Sequence, residues 1–194
     1  MADATDPNQV RLTGENSFIR LVQADGGSET TRTSHWRIWL SPGGAGHVLF
    51  MQSTSFHNNA VRIYTDNIAM TRWLQGEIES LLFPAFANQD LPVIEAEFSR
   101  KGDVHAFWTE MVISDDEVIA LTWYDFLESF VLRVPPGSVP GRPHGVYSCF
   151  IPARRAQITL NGAVAAGRPA AAKRDGHDSS SACLALSETW VRPH

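Results

Sequence analysis

Residues 93–126 read VIEAEFSRKGDVHAFWTEMVISDDEVIALTWYDF and decide the fold of the chain. Three runs rich in apolar residues, Val93–Ser99, Val104–Ile113 and Val118–Phe126, are separated by the short polar segments RKGD and SDDE. Short polar connections between such runs are typical of β-hairpins. The stretch therefore predicts a three-stranded antiparallel meander, whose third strand is expected to run on through Phe130–Val134.

Residues opposite each other in an antiparallel pair point to the same side of the sheet, so the simplest register sorts the side chains onto two faces. With Glu97 opposite Ala106 and Trp108 opposite Trp123, one face is both acidic and aromatic. Its members are Glu95, Glu97, Trp108, Glu110, Trp123 and Asp125. The other face is almost wholly apolar and is expected to be buried beneath a helix or inside a barrel. A slip of one residue would turn every side chain to the opposite face.

The acidic and aromatic face is the first candidate for a functional site. Two tryptophans beside several carboxylates form a platform for a sugar, an aromatic or a cationic ligand. Crowded and partly buried carboxyl groups retain a proton near neutral pH, so one can act as general acid and another as general base. The predicted catalytic pair is Glu97 and Glu110, and the predicted substrate-binding residues are Trp108, Trp123, Glu95 and Asp125. The alternative is a solvated face on which the tryptophans pack across strands.

The histidines offer a second candidate site. The apolar face of the meander groups His105 with Thr122 and Tyr124, and a histidine–tyrosine pair can transfer a proton. His105 and Tyr124 are therefore also predicted as catalytic residues, against the alternative of a hydrogen-bonded histidine in the core. Neither H-x-H nor H-E-x-x-H occurs, so no metal is predicted from local spacing. A centre built from dispersed histidines stays open.

One main helix is predicted over residues 67–83. Its apolar residues mostly recur at helical spacing, Asp66 or Asn67 can cap its first turn, and Pro84 lies just beyond its end. Glu79 falls on the polar side of this pattern. The helix is expected to cover a sheet with its apolar side.

Further strands are predicted on both sides of these elements. They are Ser17–Gln23, His35–Leu40, His47–Phe56, Val61–Tyr64, Val146–Ile151, Arg155–Leu160 and Cys183–Val191. In the last of them, Glu188 is expected to share one side with Leu184, Leu186 and Trp190. Residues 161–181 are small and polar, which predicts a mobile loop, and residues 1–10 are predicted to be a mobile tail.

These elements predict a single, mainly β domain over residues 11–194. We expect an antiparallel β-barrel or a strongly curved sheet with one main α-helix, calycin-like in outline although the G-x-W signature of lipocalins is missing. The alternative is an α+β arrangement in which the helix lies on an open sheet.

Composition narrows the functional classes. Of the 194 residues, 43% are hydrophobic and 19% are charged, which fits a folded domain rather than a disordered chain. The net charge of −5 argues against nucleic acid as the main partner. No apolar run reaches the roughly 20 residues that a membrane span needs, and the first residues lack the features of a secretory signal. A cytoplasmic protein is therefore expected.

The functional prediction is a small-molecule enzyme with an aromatic-lined barrel pocket. Its chemistry would be proton transfer by carboxylates or histidine, as in a lyase, isomerase or hydratase, without an organic cofactor. No G-x-S-x-G, Walker or G-x-G-x-x-G motif points to another chemistry. Two alternatives stay open: a non-catalytic carrier of an apolar or aromatic ligand, and an interaction subunit whose tryptophan face forms a homo-oligomer contact.

Overall fold

Extended strands make up most of the molecule. A computed structural model describes residues 9–24 and 26–192 of the chain. Its strands are β1 (Val10–Val22), β2 (Glu29–Leu40), β3 (Gly46–Ser53), β4 (Val61–Thr65), β5 (Ile94–Glu95), β6 (Glu97–Asp103), β7 (Phe107–Ile113), β8 (Val118–Phe126), β9 (Phe130–Val134), β10 (Gly145–Leu160), β11 (Ala163–Val164), β12 (Arg168–Pro169), β13 (Ala171–Arg174), β14 (His177–Ser180) and β15 (Ala182–Val191). Most of the predicted tail lies outside the described residues.

The strands curl into a nearly closed barrel. Neighbours follow the order β5-β4-β3-β2-β1-β15-β10-β8-β7-β6, in antiparallel pairs except for the parallel pair β4–β5. The first and last strands of this order, β5 and β6, are separated in the chain by Ala96 alone, so the two edges of the sheet meet. The prediction of a mainly β, barrel-like domain with one main helix is confirmed, although the sheet is mixed rather than purely antiparallel.

Apolar side chains from every part of the sheet fill the barrel. Trp123 and Tyr64 are the largest of them, and both are fully buried with Leu49, Leu121 and Ile158. Such a core is packed to nearly crystalline density, so each of these side chains contributes to stability through many close contacts. Because Trp123 lies inside, the tryptophan face is not available as an oligomer contact.

The hairpin of β7 and β8 has the predicted register. Trp108 lies opposite Trp123, and Glu110 lies opposite Leu121. The expectation for the other face of this hairpin is wrong, because Phe107 and Tyr124 point out of the barrel and the tryptophan face points in. An alternating pattern identifies two faces, but it does not say which of them a curved sheet encloses.

The hairpin of β6 and β7 departs from the predicted register by an odd number of residues. Glu97 lies opposite Ile113 rather than Ala106, so Glu95 and Glu97 point outward, away from Trp108 and Glu110. The cause is the turn. Asp103 accepts hydrogen bonds at Oδ1 from the amides of His105 (2.8 Å) and Ala106 (3.0 Å). These bonds place the turn of the chain at residues 104–106, after the RKGD segment in which it was predicted.

The predicted helix is confirmed, with a local irregularity. It begins as α1 (Ile68–Leu74), continues through a π-helical segment (Gln75–Glu79) and ends in one turn (Ser80–Leu82). Asn67 caps it by accepting a hydrogen bond from the amide of Met70 at 3.1 Å. Its apolar stripe packs on the outer face of β2 and β3, against Trp36, Ile38 and Phe50. Among the described residues, no helix is long and apolar enough to cross a membrane.

Several segments differ from their predicted extent. β1 and β2 begin earlier than predicted, at Val10 and Glu29 rather than at Ser17 and His35. β10 is one continuous strand through Pro152, and its first half pairs with β9 and β15 while its second half pairs with β8. Two separate strands, Val146–Ile151 and Arg155–Leu160, were predicted here because proline is rare inside paired strands. Residues 161–181 form β11 to β14 rather than an irregular loop, with mostly exposed side chains in strands too short to show a hydrophobic pattern.

The packed barrel predicts unequal roles for two tryptophans. Replacing the buried Trp123 by alanine should lower the free energy of unfolding by about 3–5 kcal/mol, because the substitution leaves a cavity. Trp39 is 53% exposed, so Trp39→Ala should change the free energy of unfolding by less than about 0.5 kcal/mol. Urea unfolding followed by circular dichroism measures both values. Equal losses in the two variants would contradict the placement of Trp123 in the core.

Candidate functional site

The sequence-predicted site residues separate into two groups. Glu110, Trp108 and Trp123 face the barrel interior, whereas Glu95 and Glu97 are exposed on the outside. The remaining three do not join Glu110 in the barrel interior. They are Asp125, exposed and paired with Arg155 at 2.6 Å; His105, exposed in the β6–β7 turn; and Tyr124, bonded on the outer face to Gln157 at 2.8 Å. The expected pairs Glu97–Glu110 and His105–Tyr124 are therefore not brought together.

Glu110 belongs to a network of charges at one end of the barrel. We name the inner cluster as Glu15, His35, Arg37, Arg100, Trp108 and Glu110. Trp108 donates its indole N–H to Glu110 Oε1 at 2.8 Å, and Arg37 Nη2 lies 3.9 Å from Glu110 Oε2. Arg100 donates to Glu15 Oε2 at 2.9 Å. Each carboxylate of the inner cluster thus has a guanidinium close by.

Burial changes the protonation of the inner cluster. It raises the pKa of Glu110 to about 7, against the lowering effects of the Trp108 hydrogen bond and of the Arg37 and Arg100 charges. Burial also lowers the pKa of His35 to about 3, helped by the positive charge of neighbouring groups, His47 first. His35 is therefore a neutral core histidine at physiological pH, while Glu110 titrates near neutrality.

A second group of buried polar side chains lies outside the barrel wall. A cavity of about 270 Å³ opens between the outer face of the sheet, the end of the helix and the segment that leads from β9 into β10. We call it the outer cavity. Its lining includes the polar residues Asn16, Thr33, Ser34, Glu79, His144 and Glu188, four arginines, and the apolar residues Phe18, Leu82, Phe83, Phe86, Leu132, Val146, Phe150 and Trp190.

Glu79 reaches the outer cavity from the π-helical segment and is fully buried. Its Oε1 atom accepts hydrogen bonds from Ser34 Oγ and from the indole N–H of Trp36, both at 2.7 Å. Its Oε2 atom is buried and has no hydrogen-bond partner in the protein. Burial raises the pKa of Glu79 to about 7 despite these two donors. One oxygen is thus fixed, and the other is free to exchange a proton with a ligand.

Glu188 reaches the same cavity because of a β-bulge in β15. Ser187 has a φ of 51°, in the left-handed region, and the pairing of β15 with both neighbours shifts register here. Leu184 and Leu186 face the barrel interior, whereas Glu188 and Trp190 face outward. The expectation that all four share one side is therefore wrong. Bulges commonly re-aim a side chain next to a functional site.

The environment of Glu188 closely matches that of Glu79. Its Oε1 atom accepts a hydrogen bond from the indole N–H of Trp190 at 2.6 Å. Burial raises the pKa of Glu188 to about 7, and the negative charge of Glu79 contributes in the same direction. Two carboxyl groups, each held by a tryptophan, therefore titrate near neutrality and interact with each other in one cavity.

Neither Glu79 nor Glu188 was predicted as a site residue, although the position of each in its helix or strand gives a sequence signal. Glu79 extends a buried polar stripe with Thr71 and Gln75, which runs beside the apolar stripe of the helix. The spacing placed Glu79 on the polar side of the helix, and the structure shows that this side is buried as well. β2 covers it at Glu79, and the segment that follows the helix covers it at Gln75. Glu188 stood out as a carboxylate in a strand of apolar residues. Neither signal reveals that the two side chains line the same cavity.

A metal centre is not formed by the residues that the structure describes. No three His, Cys, Asp or Glu side chains within them are grouped to hold an ion. His144, the histidine of the outer cavity, instead has its Nε2 atom 3.1 Å from Glu77 Oε1. The polar groups of the cavity are thus suited to hydrogen bonding and proton transfer.

The two buried carboxyl groups predict a specific dependence of stability on pH. Their folded-state pKa values of about 7 exceed the ordinary 4.5, so between these values the folded state binds more protons than the unfolded chain. Their stabilising contribution is complete below about pH 4.5 and is lost as the pH rises through 7, by up to about 3 kcal/mol for each group. Glu188→Gln abolishes this loss at its position.

Urea unfolding at pH 5 and pH 8 tests this dependence. The quantity to compare is the free energy of unfolding of Glu188→Gln minus that of wild type. This difference should be about 2–3 kcal/mol more positive at pH 8 than at pH 5. Glu97→Gln, a change at an exposed carboxylate, serves as the control and should show nearly the same difference from wild type at both values. A pH-independent effect of Glu188→Gln would mean that Glu188 is ionised in the folded protein throughout this range.

Comparison with known proteins gave no match. No protein-family model matches the chain, and no similar sequence was found among curated proteins. No solved structure matches its fold. Function is therefore inferred from the residues and the geometry of this chain alone.

Proposed function

We propose that the protein is an enzyme that binds a small organic molecule in the outer cavity and transfers protons to and from it. The observation that carries this proposal is the pair Glu79 and Glu188, two buried carboxyl groups with pKa values near 7 in one cavity. A general acid or base works best when its pKa lies near the working pH, because both protonation states are then accessible. Lyase, isomerase or hydratase chemistry fits such a pair.

The hydrogen bonds around the pair support different roles for its oxygens. Ser34 and Trp36 fix Glu79 Oε1, so the unpartnered Oε2 atom is the one able to take a proton from a ligand. Glu188 is fixed in the same way by Trp190. When Glu79 ionises, the charge interaction favours a protonated Glu188, so one base and one acid are present together.

The cavity walls support a ligand with an apolar surface. Aromatic side chains, among them Phe18, Phe83 and Phe150, surround the carboxyl groups. An apolar wall lowers the local dielectric and strengthens the interaction between a carboxylate and a developing charge. A carrier would gain from these walls, but it would lose free energy by burying two carboxyl groups that its ligand does not need.

A neutral aromatic probe tests this proposal without knowledge of the natural substrate. A buried carboxylate can remove the ring C–H proton of 5-nitrobenzisoxazole, whereupon the N–O bond breaks and 2-cyano-4-nitrophenolate forms. The wild-type protein should accelerate this reaction, with a rate that rises with pH and levels off above about pH 7, because the base must be ionised. Glu79→Gln should lower kcat/KM at least about 100-fold.

Two further variants locate the active carboxylate. Glu97→Gln removes an exposed carboxylate and should leave the rate unchanged. A large loss in Glu110→Gln, with full activity in Glu79→Gln, would instead place the chemistry in the inner cluster. The double variant Glu79→Gln, Glu188→Gln gives the background rate. If wild type reacts no faster than this double variant, proton transfer in the outer cavity is contradicted.

A further inference from the structure

Four arginines surround the outer cavity: Arg20, Arg32, Arg142 and Arg174. Arg142 and Arg174 are exposed, whereas both carboxyl groups are buried. Charge is thus distributed with depth: the mouth is cationic, the walls are aromatic, and the deepest polar groups are carboxyls that can be protonated. This order bears on which molecules the cavity can accept.

Aromatic rings hold two of these arginines in place. The Cζ atom of Arg32 lies 4.0 Å from the ring centroid of Phe83, and that of Arg174 lies 5.1 Å from the ring centroid of Phe150. A guanidinium stacked on a ring keeps its in-plane N–H groups available as donors. Because Phe83 and Phe150 line the cavity, these donors border the space that a ligand would fill.

The positive charge at the mouth exceeds the negative charge beside it. Glu29 pairs with both Arg20 and Arg32, at 2.8 Å in each case, so one carboxylate serves two guanidiniums. Within the described part of the chain, neither Arg142 nor Arg174 forms an ion pair. The mouth therefore has guanidinium groups available for a ligand, and the forked guanidinium matches a carboxylate, sulfonate or phosphate.

We propose that the substrate of the outer cavity is an organic anion, with its charged group held at the mouth by Arg142 and Arg174 and an apolar or aromatic body between Phe18 and Phe150. This inference rests on the proposed function and specifies its substrate class. In this orientation the guanidiniums of Arg142 and Arg174 neutralise the charged group and so reduce its repulsion from Glu79 and Glu188. The body of the molecule then meets the carboxyl groups, where its protons are exchanged.

A pair of dyes with the same aromatic body separates the effect of charge from that of apolar contact. The anionic dye is 1-anilinonaphthalene-8-sulfonate, and its uncharged counterpart is N-phenyl-1-naphthylamine. Fluorescence titration gives the Kd of each dye for the full chain. Both should bind, and only the affinity of the sulfonate should fall when NaCl is raised, because salt screens the arginine contacts.

Charge-removing variants test the role of the arginines directly. In the double variant Arg142→Gln, Arg174→Gln, the Kd of the sulfonate should rise about tenfold, and that of the uncharged dye should change less than about twofold. Arg133→Gln is the matched control, because Arg133 is an exposed arginine between two cavity residues of β9 but does not line the cavity itself. Circular dichroism verifies that each variant is folded.

The possible results distinguish this inference from the proposed function. If the double variant shifts both dyes equally or neither, the cavity does not recognise charge and the inference is wrong, while the benzisoxazole reaction still tests Glu79 independently. Leu132→Trp should fill the cavity and abolish the binding of both dyes. Undiminished binding in that variant would place the dyes elsewhere and overturn the assignment. If neither dye binds to wild type, both the inference and an accessible cavity are excluded.

Discussion

The burial of Glu79 and Glu188 in one cavity is the constraint on which the functional interpretation depends. Removing a carboxyl group from water costs free energy unless the group is protonated or hydrogen-bonded. Here each carboxyl is held by the indole N–H of a tryptophan, and each has a pKa near 7. A core built for stability alone gains more from apolar residues at such positions, and this cost is the basis of the proposal that the two carboxyls have a chemical use.

The fold places these groups by two local irregularities. The π-helical segment carries Glu79 at its end, and the bulge at Ser187 turns Glu188 out of the barrel. Both features interrupt regular hydrogen bonding and are frequent at functional sites. The nearly closed barrel supplies a rigid support for them, since its packed interior holds β1, β2 and β15 in fixed positions beneath the cavity.

Much of the fold followed from patterns that act over short distances. The capped helix and the β7–β8 hairpin were predictable because Asn67 and the SDDE turn determine the geometry of their own neighbours. The β6–β7 register was not, because the side chain of Asp103 competes with the glycine-containing turn. The orientation of the tryptophan face depends on closure of the whole sheet, which no single strand encodes.

The site was less predictable than the fold because it depends on contacts between segments that are far apart in the sequence. Among the predicted residues, Glu110 is buried beside Trp108 and has a pKa near 7, as expected of a general acid or base, but its expected catalytic partner Glu97 is exposed on the outside. The carboxyls of the outer cavity come from segments more than 100 residues apart, the helix and the last strand. Glu188 lines the same cavity as Glu79 only because of the bulge, and a left-handed serine has no reliable sequence signature.

Direct titration of the two carboxyl groups tests the central claim most closely. Carbon NMR of protein labelled at the glutamate side-chain carboxyl follows each resonance with pH, and Glu79→Gln and Glu188→Gln assign the two signals. We expect both groups to titrate near pH 7. We also expect Glu79→Gln to lower the pKa of Glu188, because a neighbouring negative charge is removed. Two independent titrations near the ordinary value of 4.5 would contradict the central claim.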